Sequence, residues 1–254
     1  MDVNLKTEFS QKWDKYFPGA ELPLAFFYAD DEGHGRPLEA TKKWRCVIGD
    51  LTRARRGTTA VLDSAAIGCG GGRRYFGFTE EISANFEYFL SCGLPGKVKG
   101  ERYKKTPQLV KEGMDHQPGF DAPGKYIVFK RWDHLESADE PLAVIFFAAP
   151  DALAGLTVLA NFDQATPYGV IAPFGSGCSS IVAYPYREYH SDNPRAVLGM
   201  FDISARPYVG SNILTFAVPW PKFVTMAANM DESFLVTDTW KTIRDRIGRS
   251  KRKK

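Results

Sequence analysis

Four cysteines and four histidines are all that the 254 residues offer in soft metal ligands and imidazole bases. The cysteines stand at 46, 69, 92 and 178, and no two are close-set. Zinc modules built on C-x2-C pairs are therefore excluded, and so are ferredoxin-type cysteine runs. Four cysteines in a chain this long are too few for a disulfide scaffold. The sequence has no H-E-x-x-H, G-x-S-x-G, kinase, P-loop or Rossmann pattern, so no reaction can be named from it. It has no Asn-x-Ser/Thr acceptor, and Met1 to Phe17 lacks the apolar core of a signal peptide. The most apolar stretch, Pro141 to Phe162, is cut by Pro150-Asp151, so no membrane span is expected. A cytoplasmic protein is the expectation.

Hydrophobic residues make up 44% of the chain and charged residues 25%, which suits a folded domain rather than a disordered one. The net charge of +3 is unevenly placed. Arg244 to Lys254 carries a net +6 and the remainder a net −3. A basic tail over 248–254 is expected to be solvated and disordered, with nucleic acid not expected as a partner. Residues 1–247 form the expected domain.

Hydrophobic spacing predicts a helix over Asn4 to Tyr16, then a buried strand over Pro23 to Ala29. A cation-rich helix follows over Leu38 to Arg55, and a strand over Thr58 to Leu62. Four glycines in five positions, from Gly68 to Gly72, predict an irregular loop. Helices are expected over Thr79 to Ser91, from Thr106 to about Met114, and from Asp151 to about Gln164. Strands are expected over Tyr126 to Arg131, at Phe146-Phe147, and over Tyr168 to Ala172. Cys178 to Tyr184 reads as a helix. Later come strands Arg195 to Phe201 and Ile213 to Val218, then helices Pro219 to Met230 and Asp231 to Ile247. The fold class is α/β or α+β, with mixed sheet flanked by helices.

The order repeats. Pro23-Leu24-Ala25 with Phe26-Phe27 is echoed by Pro141-Leu142-Ala143 with Phe146-Phe147. A helix, a breaker and a short strand follow in both, and each then reaches a Gly-Cys pair, Gly68-Cys69 or Gly177-Cys178. The breaker-to-cysteine spacing is 12 residues in one and 11 in the other. Half-repeats over about 20–78 and 138–184, related by a pseudo-twofold, are expected.

A pseudo-twofold would bring Cys69 and Cys178 together, with Cys46 and Cys92 approaching from neighbouring helices. Four scattered thiolates could hold an iron–sulfur cluster or another metal, and adjacent glycines leave amides free to bond its sulfurs. Against this stands the plain reading of four cysteines as small buried hydrophobes. A second reading makes Gly68, Gly70, Gly71, Arg73 and Arg74, with Arg45, a site for a small anion. A third is a thiol redox enzyme using Cys69 or Cys178, the latter activated at a helix start. His34, His116, His134 and His190 lie in polar segments and are expected to be solvated.

These cysteine contexts resemble domain-of-unknown-function family 169, a set of uncharacterised archaeal and bacterial proteins. The likeness runs from about Asp14 to Val236. It rests on Trp44-Arg45-Cys46, Ala54-Arg55-Arg56-Gly57, Gly68-Cys69-Gly70-Gly71, Gly100-Glu101-Arg102-Tyr103, Pro141-Leu142-Ala143 and Gly177-Cys178-Ser179-Ser180 with Val182-Ala183. The resemblance implies cysteines typical of the family at 46, 69 and 178, with Cys92 less typical. That leaves three thiolates plus another ligand as the metal set. It implies no activity.

Overall fold

The computed structural model describes residues 1–31 and 33–251, with side chains through 249. In chain order the elements are α1 (Val3–Tyr16), β1 (Leu24–Ala29), α2 (Val47–Arg55), β2 (Ala60–Leu62), α3 (Gly70–Tyr75), α4 (Phe86–Phe89), α5 (Pro107–Asp115) and β3 (Tyr126–Arg131). Then follow β4 (Ala143–Ala148), α6 (Pro150–Ala160), β5 (Val170–Ile171), a π-helical turn (Ser179–Ala183), α7 (Tyr184–Tyr189), β6 (Ala196–Gly199), β7 (Leu214–Pro219), α8 (Trp220–Asn229) and α9 (Asp238–Lys251).

The strands form one seven-stranded mixed sheet in the order β2-β3-β1-β4-β7-β6-β5. Only β5 and β6 run parallel; the other neighbours are antiparallel. The central strands read as unbroken apolar runs because both faces are covered. Side chains alternate, so Leu24 and Phe26 face one layer while Ala25 and Phe27 face the other. On one face α1, α6, α8 and α9 pack through Trp13, Leu156, Phe223 and Trp240. On the other, α2, α3, the π turn and α7 pack through Leu51, Tyr75, Ile181 and Tyr184. No helix among the described residues is long and apolar enough to cross a membrane.

The α/β architecture and most strands fall where periodicity places them. The departures have local causes. The helix expected from Leu38 begins only at Val47, because Leu38 donates its amide to the Val61 carbonyl at 2.9 Å and stays extended beside β2. The expected glycine loop instead contains α3, whose first three residues are glycines. The helix expected over Thr79 to Ser91 shrinks to α4: Thr79 Oγ1 accepts from the Glu81 amide in a local turn, and Asn85 is left-handed at φ 63°. Asp231 does not cap the last helix. Its carboxylate accepts from Tyr16 at 2.5 Å and Lys15 at 3.0 Å, and the helix starts at Asp238. That helix runs through Gly248 to Lys251, while the rest of the expected basic tail, 252–254, lies outside the described residues.

The two segments thought to repeat agree in element order but not in placement. β1 and β4 are antiparallel neighbours, so a twofold relating them would stand perpendicular to the sheet and keep each helix on its own face. α2 packs on one face and α6 on the other. The two Gly-Cys segments nevertheless pack on the same face, with Cys69 against the cluster that buries Cys178.

Candidate functional site

Three of the four cysteines stand at or just inside the starts of helical segments on the α2 face. Cys46 is the extended residue that opens α2 (φ −71°, ψ 123°); its side chain makes no capping hydrogen bond, and the Gly49 amide goes to its carbonyl at 2.9 Å. Cys69 opens α3 in the same way (φ −121°, ψ 141°), and its Sγ accepts the Gly72 amide at 3.3 Å. Cys178 is buried just before the π turn, with Sγ 3.1 Å from Ser176 Oγ. The Cys69 sulfur does what a serine oxygen does in the Ncap position, accepting an orphan amide of the first turn.

Glycines bring these three segments together. A Cβ on Gly68 would lie 2.7 Å from the Lys43 carbonyl and 2.8 Å from the Arg45 amide, so the chain leading to Cys46 presses against the chain leading to Cys69. A Cβ on Gly72 would meet Ile67 at 2.8 Å, Cys69 Sγ at 2.9 Å and Val47 at 3.2 Å. One on Gly71 would sit 3.9 Å from Cys178 Sγ. On Gly177 it would meet Ala205 at 2.8 Å and Ile48 of α2 at 3.4 Å. The glycine run is thus a packing device, and its helix-propensity cost of roughly 1 kcal/mol per residue is offset by the close approach it permits.

The sulfurs share one electrostatic environment. Burial pushes the Cys46 thiol up; the Ile48 and Gly49 amides oppose that, and Cys69 and Asp202 add to the rise. Burial also pushes Cys178 far up, Ser176 opposes it, and Cys69, Asp202 and Cys46 raise it further. The thiol-activating effect expected for Cys178 from its helix start is therefore overturned, because complete burial outweighs it.

Asp202 is the carboxylate beside the thiols. It accepts the Gly177 amide at 2.9 Å through Oδ2, and the Ser204 amide at 2.9 Å and hydroxyl at 2.7 Å through Oδ1. Two phenols complete the surroundings. Burial raises Tyr75, with Cys178 adding to the rise, and its hydroxyl donates to Gln117. Burial also raises Tyr103, with Asp202 adding to the rise and Ser204 opposing it. Neither Asp202 nor Tyr75 stands in a pattern that spacing could single out. Ser176, two residues before Cys178, has the offset of a capping residue and was legible in principle.

Other expected site residues lie apart. Cys92 is exposed and donates to the Gly93 carbonyl at 3.5 Å, so it is not among the three. Arg45 pairs with Asp50 at 2.7 Å and donates to the Ala66 carbonyl at 3.2 Å. Arg74 donates to the Glu80 carbonyl at 2.6 Å, and Arg73 is exposed. Of the amides expected to cradle an anion, that of Gly72 goes to the Cys69 sulfur and that of Arg73 to the Cys69 carbonyl at 3.1 Å, while Gly70 is exposed at the helix start. His34 is mostly buried, with Nδ1 3.2 Å from Asp139 and its ring on Phe27, contrary to the solvated position expected.

Among the described residues, no three of His, Cys, Asp and Glu are grouped as the ligands of a metal ion. A family model described as "Uncharacterised ArCR", a domain of unknown function, matches residues 20–229, more than half of the chain. No curated protein matches, and no solved structure matches.

Proposed function

The chain belongs to domain-of-unknown-function family 169, and from that premise we propose that Cys46, Cys69 and Cys178 ligate a metal centre, an iron–sulfur cluster. The observation that carries the reading is that three cysteines from distant parts of the chain pack against one cluster, with the Gly72 amide on the Cys69 sulfur and Ser176 Oγ 3.1 Å from that of Cys178. A neutral cysteine buried as a small hydrophobe needs no such donors. A metal-bound thiolate does, because it keeps most of its negative charge in a dry site. Three thiolates beside Asp202 would carry negative charge that a metal centre offsets.

A cluster suits the site better than a single ion. Tetrahedral bonds of about 2.3 Å would hold the sulfurs of a mononuclear site about 3.8 Å apart, and the described residues offer no such grouping. A cluster spans a wider gap. Three thiolates leave one position to a further ligand, and Cys92 is excluded from it by its place on the surface. Burial keeps Cys46 and Cys178 protonated without metal, so loading must displace protons and grow stronger with pH. All four cysteines are free thiols, which fits a reducing compartment such as the cytoplasm.

The rival readings lose support on the same geometry. A nucleophilic thiol needs a neighbouring cation or another means of lowering its pKa, and burial raises that of Cys178. An anion module needs free guanidinium groups and amides around Gly68 to Arg74, and several are already engaged.

The test is anaerobic purification and reconstitution with iron and sulfide. The expected product is a brown protein holding both in fixed ratio, lost on replacing Cys46, Cys69 or Cys178 by Ser and kept in Cys92→Ser. Colourless protein that retains no iron would overturn the proposal.

A further inference from the structure

On the face of the sheet away from the thiols, α6 and α8 lie side by side, and Leu156 and Leu159 of one share a core cluster with Phe223 and Met226 of the other. A helix that covers a sheet from solvent is ordinarily charged on its outer side. These two hold only Asp151 and Lys222 between them, while charged residues make up 25% of the chain. Neither charge is free. Arg246 bonds both oxygens of Asp151, and Lys222 is 7% exposed with Asp163 at 3.9 Å. What faces outward is Ala154 and Val158 of α6, Phe162 in the turn that follows, and Val224 and Ala228 of α8. Val158 is 49% exposed and Phe162 43%. Thr225, exposed beside Val224, folds its hydroxyl back on the Pro221 carbonyl at 3.2 Å.

We propose that this face docks a second copy of the chain, about a twofold axis that passes beside Val158. Charge and shape both select a second copy. A surface without free charge offers nothing to a charged partner, and it is matched by another like itself. Residues 154, 158 and 162 form a ridge at fourth-residue spacing, the kind that interlocks with its equal on another helix. Set antiparallel to itself about Val158, the ridge places small Ala154 opposite large Phe162, and Val158 opposite Val158. The face is then its own steric complement, as a twofold contact requires. The same arrangement lays the negative end of each α6 toward the positive end of the other.

The test is sedimentation equilibrium of the full chain. Wild-type protein is expected at twice the mass of one chain. Val158→Arg and Val158→Glu each set like charges face to face at the axis, and each is expected as a monomer. Val158 is half-exposed in the single chain, so circular dichroism should show both variants folded. Mixed together, the Arg and Glu variants are expected to pair, because each cation then meets an anion across the axis. A monomeric wild type would overturn the proposal, and so would a dimer untouched by either variant. Variants that dissociate alone and fail to pair when mixed would overturn the twofold at Val158. A monomer that binds phosphatidylcholine vesicles, and loses that binding in Val158→Arg, would assign the face to a lipid surface and overturn the proposal as well.

Discussion

Two polar clusters, one buried and one half-buried, lie on opposite faces of the same sheet, and they differ in how their charges close. On the α1 face Lys130 reaches both oxygens of Asp139 at 3.0 Å, with the two side chains 3% and 0% exposed. Asp139 also accepts the Glu136 amide at 2.8 Å and lies 3.2 Å from His34 Nδ1, while Lys130 also reaches Glu136 at 2.9 Å. Every charge there has its partner within the chain. On the α2 face three thiols gather near Asp202, and none of them forms an ion pair. Buried ionisable groups are tolerated when paired, and otherwise they neutralise. The first cluster is complete in the polypeptide and needs a structural explanation only. The second is complete only as neutral thiols or with something cationic added.

The largest effect is expected where the closed cluster is opened. Lys130→Met leaves the Asp139 carboxylate buried without its ammonium, and unfolding in urea should show a loss of about 3–5 kcal/mol. Adding Asp139→Leu removes the stranded charge and should recover most of that loss. Removing a thiol from the other cluster strands nothing, so Cys178→Ala should cost clearly less than Lys130→Met. If Lys130→Met were the milder of the two, the distinction between the clusters would collapse.

A middle-sized effect tests the packing that assembles the thiols. In Gly72→Ala the new methyl would meet Ile67, Cys69 Sγ and Val47 within 3.2 Å, two of them under 3.0 Å. Overpacking of this kind costs typically about 1–3 kcal/mol. The displacement falls directly on Cys69, so metal uptake should fall with stability. Gly113 lies in α5 with nothing within 4 Å of an added Cβ. Gly113→Ala is the matched control, with no loss of metal. Equal behaviour of the two variants would show that the glycines by the cysteines do not hold the thiols in place.

How much of this was legible follows from what each signal measures. Periodicity reports burial, so Tyr126 to Arg131 and the strand–helix pair around Pro150 fell where the alternation put them. Glycine composition reports backbone freedom, and it misled at Gly70 to Gly72, where the glycines serve close approach within a helix. The repeat in element order suggested that Cys69 and Cys178 meet. They do share a face, though the crossover helices lie on opposite faces. Cys92 could not be separated from the other three by spacing, because its exclusion depends on a surface loop. Asp202 carried no signal, since it acts through a contact to Gly177 that only the folded chain creates.

The smallest effects are in pH dependence, and they have opposite signs for groups on the two faces. Burial raises Tyr28 well above its usual value, and its hydroxyl donates to the Phe76 carbonyl at 2.8 Å within the α2 face. The unfolded chain ionises this phenol first, near pH 10. The stabilising difference is therefore full below that pH and is lost above it, by about 1.4 kcal/mol per pH unit for one proton. Asp231, which bonds Tyr16 and Lys15 of α1, is held down at about 2 by those hydrogen bonds. Its contribution is present above the ordinary carboxylate pKa and is lost as pH falls towards 2. The carboxylate is 44% exposed, so the effect is small after solvent screening. Urea unfolding across pH should therefore show an alkaline decline that is reduced in Tyr28→Phe, and a shallower acid decline reduced in Asp231→Asn. An alkaline decline unchanged by Tyr28→Phe would mean that this phenol ionises without penalty. The α2 face would then be wetter than its packing implies, and the case that its thiols stay neutral until a metal displaces their protons would fail with it.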